Sequence, residues 1–303
     1  MKCSKCSNRA VIDMRYMQKQ LCSYCFSRYY WQRVKRNIVR NNMLSRHDKV
    51  GVGVSGGKDS LVTLYVLKDM HYDVNAICVD EGISGYRDKT IPYVERFCEQ
   101  REIPLTIVRN KDQYGITIDD ARKRDPAKPA CSYCGVFRRE QLNRTARELG
   151  MTKLATGHNL DDEVQVILMN FFRGEVQRMA RTGPVAGLVE NELFVPRIKP
   201  LRDSPEKENV VYALVNGIEY DDIECPYSTD AFRRDIRNFM NQMEEKRPGT
   251  KFGILNAYDR MLPILQSGLE NISAPLQCEK CGELTSSLVC KKCEMLQVLQ
   301  EAA

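Results

Sequence analysis

The stretch KVGVGVSGGKDSLVTLYVL, from Lys49 to Leu67, constrains the fold more than any other part of the chain. KVGVGV is short, apolar and β-branched, which predicts a buried parallel strand. SLVTLYVLKDM carries apolar residues at helical spacing, and SGGKD lies between the two. Strand, glycine turn and helix make an anion cradle, because backbone N–H groups and the helix N-terminus point at the same spot. Further strand-like runs, VNAICVD, LTIVRN and KLATGH, alternate with helical ones. The expected architecture is α/β: an open parallel sheet with helices on both faces.

Two familiar phosphate loops do not describe this turn. A Walker A loop, G-x-x-x-x-G-K-S/T, fails twice: Val52 stands where its first glycine belongs, and Asp59 follows Lys58. The dinucleotide fingerprint G-x-G-x-x-G is met by Gly51, Gly53 and Gly56, with Asp80 ending the next strand. Gly51 and Gly53, however, alternate with valines inside the strand, so the turn itself begins at Ser55. That reading also leaves Lys58 and Asp59 without a purpose.

The chain has 303 residues, room for one large domain and small appendages. No apolar run approaches the roughly 18 residues of a membrane span, and the start, MKCSKC, lacks a signal-peptide core. A cytoplasmic protein without a membrane partner is expected. The net charge of +6 suits a nucleic-acid partner and suits an ordinary basic enzyme equally well.

Thirteen cysteines in a reducing compartment point to metals or thiol chemistry rather than disulfides. Cys3-x2-Cys6-x15-Cys22-x2-Cys25 and Cys278-x2-Cys281-x8-Cys290-x2-Cys293 are paired knuckles joined by short loops, the spacing of tetrahedral zinc. Two Zn²⁺ ions are expected, one in each terminal module. A third group has three members: Cys131 and Cys134 in KPACSYCGVFRRE, and Cys225 before Pro226. Three chemistries fit it: a 4Fe-4S cluster with one open iron, a dithiol forming a disulfide or persulfide during sulfur transfer, or a zinc with an outside ligand. Cys78 and Cys98 lie in apolar contexts and read as small buried side chains.

SGGKDS resembles the loop of the PP-loop ATPases, the N-type ATP pyrophosphatases. The resemblance implies that the loop holds the phosphates of ATP, that the α–β bond is cut, and that a substrate is adenylated as pyrophosphate leaves. Lys58 supplies charge, Ser55 and Ser60 supply hydroxyls, and Asp59 orients the loop or helps hold Mg²⁺. A second motif, KLATGHNLDDEVQVILMNFFRG, runs from a strand into a helix at about Asp161. Paired acids at a helix start also serve as dipole partners. In relatives that modify RNA bases the matching stretch lines the nucleotide site. This makes Gly157 and His158 wall residues and Asp162, ahead of Asp161, a metal or catalytic carboxylate. The implied ATP site comprises Val54, Ser55, Gly56, Gly57, Lys58, Asp59, Ser60, Val79, Gly157, His158 and Asp162.

The order of motifs is similar to that of the archaeal and eukaryotic-type tRNA 2-thiouridine synthetases: double CxxC, SGGKDS, VDEGISGYR, CxxC, GHNLDDE, Cys-Pro, double CxxC. In that subgroup Cys131, Cys134 and Cys225 match ligands of an oxygen-sensitive 4Fe-4S cluster whose free iron is thought to bind sulfur. Relatives often carry lysine where this chain has Arg138; arginine keeps the charge but cannot act as a base, so Arg138 reads as electrostatic. The implied reaction is attack of a uridine O2 on the α-phosphate, then sulfur attack at C2 with loss of AMP, assisted by Asp162, Arg138 and Asp59. Sulfide or a ubiquitin-like thiocarboxylate carrier is the implied donor, and a homodimer is compatible. The many asparagines, methionines and cysteines argue against a hyperthermophile and favour tRNA position 34 over 54. Two competing readings are a sulfur-independent amidotransferase or ligase of the same fold and a non-enzymatic zinc-module RNA-binding protein.

The expected division is a zinc module at 1–27, a basic linker helix at 28–47, the catalytic domain at 48–245, a helical tail at 246–275 and a second zinc module at 276–303. Tyr30, Val34 and Ile38 give the linker helix an apolar stripe. Ser204 is the expected N-cap of a helix with Pro205 at its first position and Gly217 as terminator. Arg28, Arg33, Lys35, Arg36 and Arg40, with Arg233, Arg234 and Arg237, are candidate phosphate contacts to tRNA. Tyr29, Tyr30 and Trp31 are candidates for base stacking or for core packing.

Overall fold

The computed structural model describes residues 1–186, 191–228, 231–268 and 276–302. The end of the expected 246–275 tail, residues 269–275, lies outside the described residues. Five parallel strands form the central sheet in the order Leu105–Arg109, Asp73–Asp80, Lys49–Val54, Lys153–Thr156 and Arg197–Ile198. A two-residue antiparallel strand, Val185–Ala186, closes the last edge. The strand order reverses between Lys49–Val54 and Lys153–Thr156, so a crevice opens beyond their carboxyl ends. SGGKDS follows one of these strands and GHNLDDE the other.

The helix Ser23–Arg40 is a core element as well as a connection. It begins five residues before the expected linker, with Cys22 as N-cap, and ends at Arg40. Tyr30, Val34 and Ile38 are fully buried in the main core with Val50, Leu61 and Tyr212. Tyr30 stacks on Tyr212 at 4.1 Å, so it packs and does not stack on bases. Arg33 is likewise no phosphate contact. Its guanidinium is buried against Glu208 at 2.7 Å and the Tyr29 hydroxyl at 2.7 Å. Arg28, Lys35, Arg36 and Arg40 remain exposed. Cys78 and Cys98 are buried, as their apolar contexts predict.

The expected boundary at 245 falls inside one packed cluster. Leu160, Val164 and Ile167 bury against Ile236 and Met240 before the boundary and against Leu255, Tyr258 and Leu262 after it. The C-terminal module docks too: Met295 and Leu299 of the Lys291–Glu301 helix bury beside Tyr133 and Phe137. Arg147 meets Glu283 at 2.7 Å and Lys292 meets Glu140 at 3.0 Å. Both contacts lie on the helix that carries Cys131 and Cys134.

Behind the sheet crevice, Arg202 is fully buried, with two 2.8 Å bonds to Asp259 and one of 3.4 Å to Glu163. Its removal leaves Glu163, itself buried, with Lys199 alone at 2.6 Å. Arg202→Ala is therefore expected to cost about 3 kcal/mol or more. Urea unfolding should show a lower midpoint with an unchanged m-value.

Candidate nucleotide and thiol site

The strand ends at Val54, and Gly56 takes φ +87°, a left-handed conformation that turns the chain into the helix Lys58–Asp69. A Cβ on Gly56 would lie 2.5 Å from the Thr90 carbonyl oxygen, so only glycine fits. The loop braces itself: Ser55 N donates to Ser60 Oγ at 3.1 Å, and Ser60 Oγ donates to the Gly57 carbonyl at 2.9 Å. Gly57 is the N-cap and contributes no side-chain bond, so the first N–H groups of the helix are left for an anion. Lys58 Nζ sits 2.8 Å from Glu206 and 3.3 Å from Asp59. Burial opposes its charge, but the two carboxylates outweigh burial and raise its pKa.

The second loop touches the first. A Cβ on Gly157 would lie 2.8 Å from the Asp59 carbonyl carbon and 2.8 Å from Ser60 N, both backbone atoms. Gly157→Ala is expected to displace the helix start and weaken ATP binding by about tenfold or more, since 1.4 kcal/mol is enough for that factor. Calorimetric titration of the variant checks it. Asn159 and Asp162 form a capping box: Asp162 N donates to Asn159 at 3.0 Å and Asn159 N to Asp162 at 3.2 Å. Asp162 also meets Arg233 at 3.5 Å, and burial raises its pKa. His158, on the open wall of the cavity, bonds Thr156 at 2.8 Å; desolvation by the surrounding loops and the Lys199 charge press its pKa down, so the ring is neutral at pH 7. Asp161 is different. Its carboxylate binds Lys251 and accepts from Glu206 N at 2.8 Å. Asp161 thereby does the capping expected of Ser204 at this helix, which runs Glu206–Val215 with Pro205 as N-cap. Gly217, at φ +63°, ends it as expected.

These loops wall a cavity of about 770 Å³, a volume suited to a nucleotide or a base with its partner. Gly53, Val54, Val79, Leu142 and Leu154 form an apolar side, and Ser55, Gly57, Lys58, Asp59 and Ser60 form the floor. His158, Asp162 and Arg138 line the same space, with Arg197, Lys199, Arg233 and Arg237. Burial and neighbouring Arg139 lower the Arg197 pKa to about 10, the mark of cations gathered for an anion. Glu206, Leu142 and Lys199 carry no sequence signal of their own. Arg233 and Arg237, expected on an RNA-facing surface, lie at the cavity itself.

The third cysteine group adjoins this cavity. Cys131 and Cys134 occupy the first turns of the helix Ala130–Glu148, and Arg138 on the same helix faces the cavity. Cys225 follows Glu224, another lining residue. Cys131 Sγ donates to the Tyr227 carbonyl at 2.9 Å, tying the first two thiols to the turn of the third. Burial, Glu81 and the nearby Cys225 push the Cys134 thiol up to about 12; burial also raises Cys225, with Cys131 contributing. Thiols that resist ionisation when bare need a cation to hold them as thiolates. The two four-cysteine groups each gather their ligand atoms within 4.8 Å, and these three are not among the sets that do so in the described residues. Arg138 lies 3.7 Å from Glu81, half-exposed.

At the termini the geometry repeats. Cys22 and Cys290 each N-cap a helix, and the second pair of each group opens that helix. Cys6 and Cys22 lie 3.6 Å apart, as do Cys281 and Cys290. Burial would raise the Cys3 and Cys278 thiols, but backbone N–H groups outweigh it and bring both to about 6. Each four-cysteine group could hold one metal ion. No helix of the described residues is long and apolar enough to cross a membrane.

Comparison with known proteins agrees with this geometry. The PP-loop domain family matches residues 30–244. The tRNA 2-thiolation protein NcsA of Haloferax volcanii is 37% identical, covering 99% of this chain and 99% of its own. The tRNA-5-methyluridine(54) 2-sulfurtransferase of Pyrococcus horikoshii is 36% identical, covering 99% of this chain and 95% of its own. Among solved structures, the U34-tRNA thiolase NcsA from Methanococcus maripaludis, determined with its 4Fe-4S cluster, superposes with a TM-score of 0.84 at 35% identity. It covers 98% of this chain and 96% of its own.

Proposed function

The chain belongs to the PP-loop family and, within it, to the tRNA 2-thiolation proteins, and on that premise we propose that it replaces the C2 oxygen of a tRNA uridine with sulfur at the expense of ATP. The observation that carries the reading is the shared cavity: Arg138 and Glu224, neighbours in sequence of the thiol trio, line the same space as Ser55, Lys58 and Asp162.

The residues have distinct tasks. The Ser55–Ser60 loop and Lys58 hold the ATP phosphates, and Val54, Val79 and Leu154 offer the apolar wall for adenine. Asp59 and Asp162, each raised by burial and close enough to repel one another, would hold Mg²⁺ with the phosphates. Uridine O2 attacks the α-phosphorus, the α–β bond breaks and pyrophosphate leaves. Hydrosulfide sulfur then adds to C2, the C2–O bond breaks and AMP departs, with no change of oxidation state. Arg138, Arg233 and Arg237 stabilise the charge on the phosphates. His158, neutral at pH 7, contributes hydrogen bonding without adding charge. Cys131, Cys134 and Cys225 would hold the 4Fe-4S cluster, which supplies an open iron for sulfur when bound. Sulfur arrives as sulfide or from a ubiquitin-like thiocarboxylate, past exposed Cys131. The uridine must be unstacked to enter the cavity. Composition favours position 34 as the target. Cys3, Cys6, Cys22 and Cys25, and Cys278, Cys281, Cys290 and Cys293, would each hold a Zn²⁺ that fixes the fold of its own module.

The test is ATP cleavage. Unmodified tRNA with sulfide should stimulate release of AMP and pyrophosphate, and thiolated tRNA should not. ADP and phosphate as products, or turnover indifferent to tRNA, would overturn the reading. Mapping the modified nucleotide separates position 34 from 54.

A further inference from the structure

Beyond Val79, the motif VDEGISGYR, Val79 to Arg87, has no task in the reaction above. Its glycines Gly82 and Gly85 take φ of +67° and +70°, turning the chain from the strand into the helix Arg87–Gln100. Asp80 accepts from Gly82 N at 2.9 Å, and the Glu81 carbonyl accepts from Ile118 N at 2.9 Å. The turn brings Glu81 and Arg87 into an ion pair with exposures of only 1% and 3%.

Each partner reaches further. Arg87 Nη1 donates to the Ser55 carbonyl at 2.9 Å and to Thr90 Oγ1 at 3.3 Å. Thr90 is the residue against which Gly56 packs. Glu81 Oε1 lies 3.9 Å from Cys134 Sγ and 3.7 Å from Arg138. One buried pair therefore spans from the phosphate loop to the thiol group. A buried ion pair stabilises a fold no better than apolar packing, so stability gives no reason for this one.

We infer that Glu81 and Arg87 form a strut that fixes the spacing between the phosphate loop and the thiol group, so that nucleotide at Ser55–Ser60 alters the surroundings of Cys134. Both are positioning residues; Arg87 also borders the cavity, where its guanidinium is engaged with Glu81, the Ser55 carbonyl and Thr90. The inference takes from the proposed function only the occupants of the two ends.

The test uses the full chain stripped of iron, with zinc retained, and α,β-methylene ATP as the nucleotide. Iodoacetamide alkylation of Cys131, Cys134 and Cys225 is followed residue by residue by peptide mass spectrometry. Nucleotide should change the Cys134 rate by roughly fivefold or more, the low end of coupling between linked sites. In Arg87→Lys, where a point charge replaces the fork, and in Glu81→Gln, nucleotide should still bind while the Cys134 rate stays indifferent to it. A nucleotide that merely shielded Cys134 would do so in the variants too, and that result overturns the strut, as does an indifferent rate in the wild type. Coupling without thiouridine formation would sink the proposed function alone; thiouridine without coupling would sink the strut alone.

Discussion

Cys225→Ala is expected to reduce tRNA thiolation more than a hundredfold while nucleotide binding and folding persist. Loss of a residue that merely supports a metal ligand costs about 10- to 100-fold, and a ligand itself should cost more. Cys225 sits on a half-buried turn beside Tyr227, outside the main core, so its loss removes little packing. The phosphate loop belongs to another segment and keeps its own braces through Ser55, Ser60 and Gly57. The variant should therefore bind ATP with the affinity of the iron-free wild type, retain both terminal zinc ions, and show loss of visible iron–sulfur absorption when prepared without oxygen. Full thiolation by the variant would remove the three-thiol site from the mechanism and leave the ATP chemistry standing.

Lys58→Met is expected to lower the rate of adenylation by about 10²- to 10³-fold, the usual effect of deleting one preorganised group that stabilises transition-state charge. The effect is compounded by what remains. Glu206 and Asp59, now paired with Lys58 at 2.8 and 3.3 Å, would face the phosphates unneutralised. Because Lys58 has a raised pKa, it stays charged across any practical assay range, and the wild-type pH profile owes nothing to it. Lys58→Arg keeps the charge but not the compact reach of the ammonium and should recover only part of the rate. Single-turnover measurement of pyrophosphate release separates this loss from changes in tRNA binding. Glu206→Gln is the control, since it removes one of the two carboxylates paired with Lys58 and keeps Lys58 itself.

The sequence made local patterns legible and long-range polar pairs illegible. KVGVGVSGGKDS and KLATGHNLDDE each announce strand, turn and helix within a dozen or so residues, and their adjacency follows from parallel-sheet topology. Both four-cysteine groups were readable because ligand spacing is itself local. The Lys58–Glu206 pair is not, being 148 residues apart, with Glu206 in a stretch, DSPEKE, that reads like any solvated helix start. Arg33 failed for the same reason: its neighbours Lys35 and Arg36 are exposed, and only the tertiary approach of Glu208 makes it a buried residue. Asp161 and Asp162 stand side by side, yet the helix turns one toward Lys251 and the other toward the cavity. Packing across the expected boundary at 245 was not readable, because a helix surface that packs on a neighbour and one that ends a domain share the same periodicity.

The central claim is tested most directly by purifying the chain without oxygen and incubating it with ATP, Mg²⁺, sulfide and unmodified tRNA, then digesting the tRNA for nucleoside mass spectrometry. The account predicts 2-thiouridine that requires ATP and sulfide. Cleavage of ATP by the cluster-loaded protein with no thiolated nucleoside, even when a thiocarboxylate carrier replaces sulfide, would contradict it.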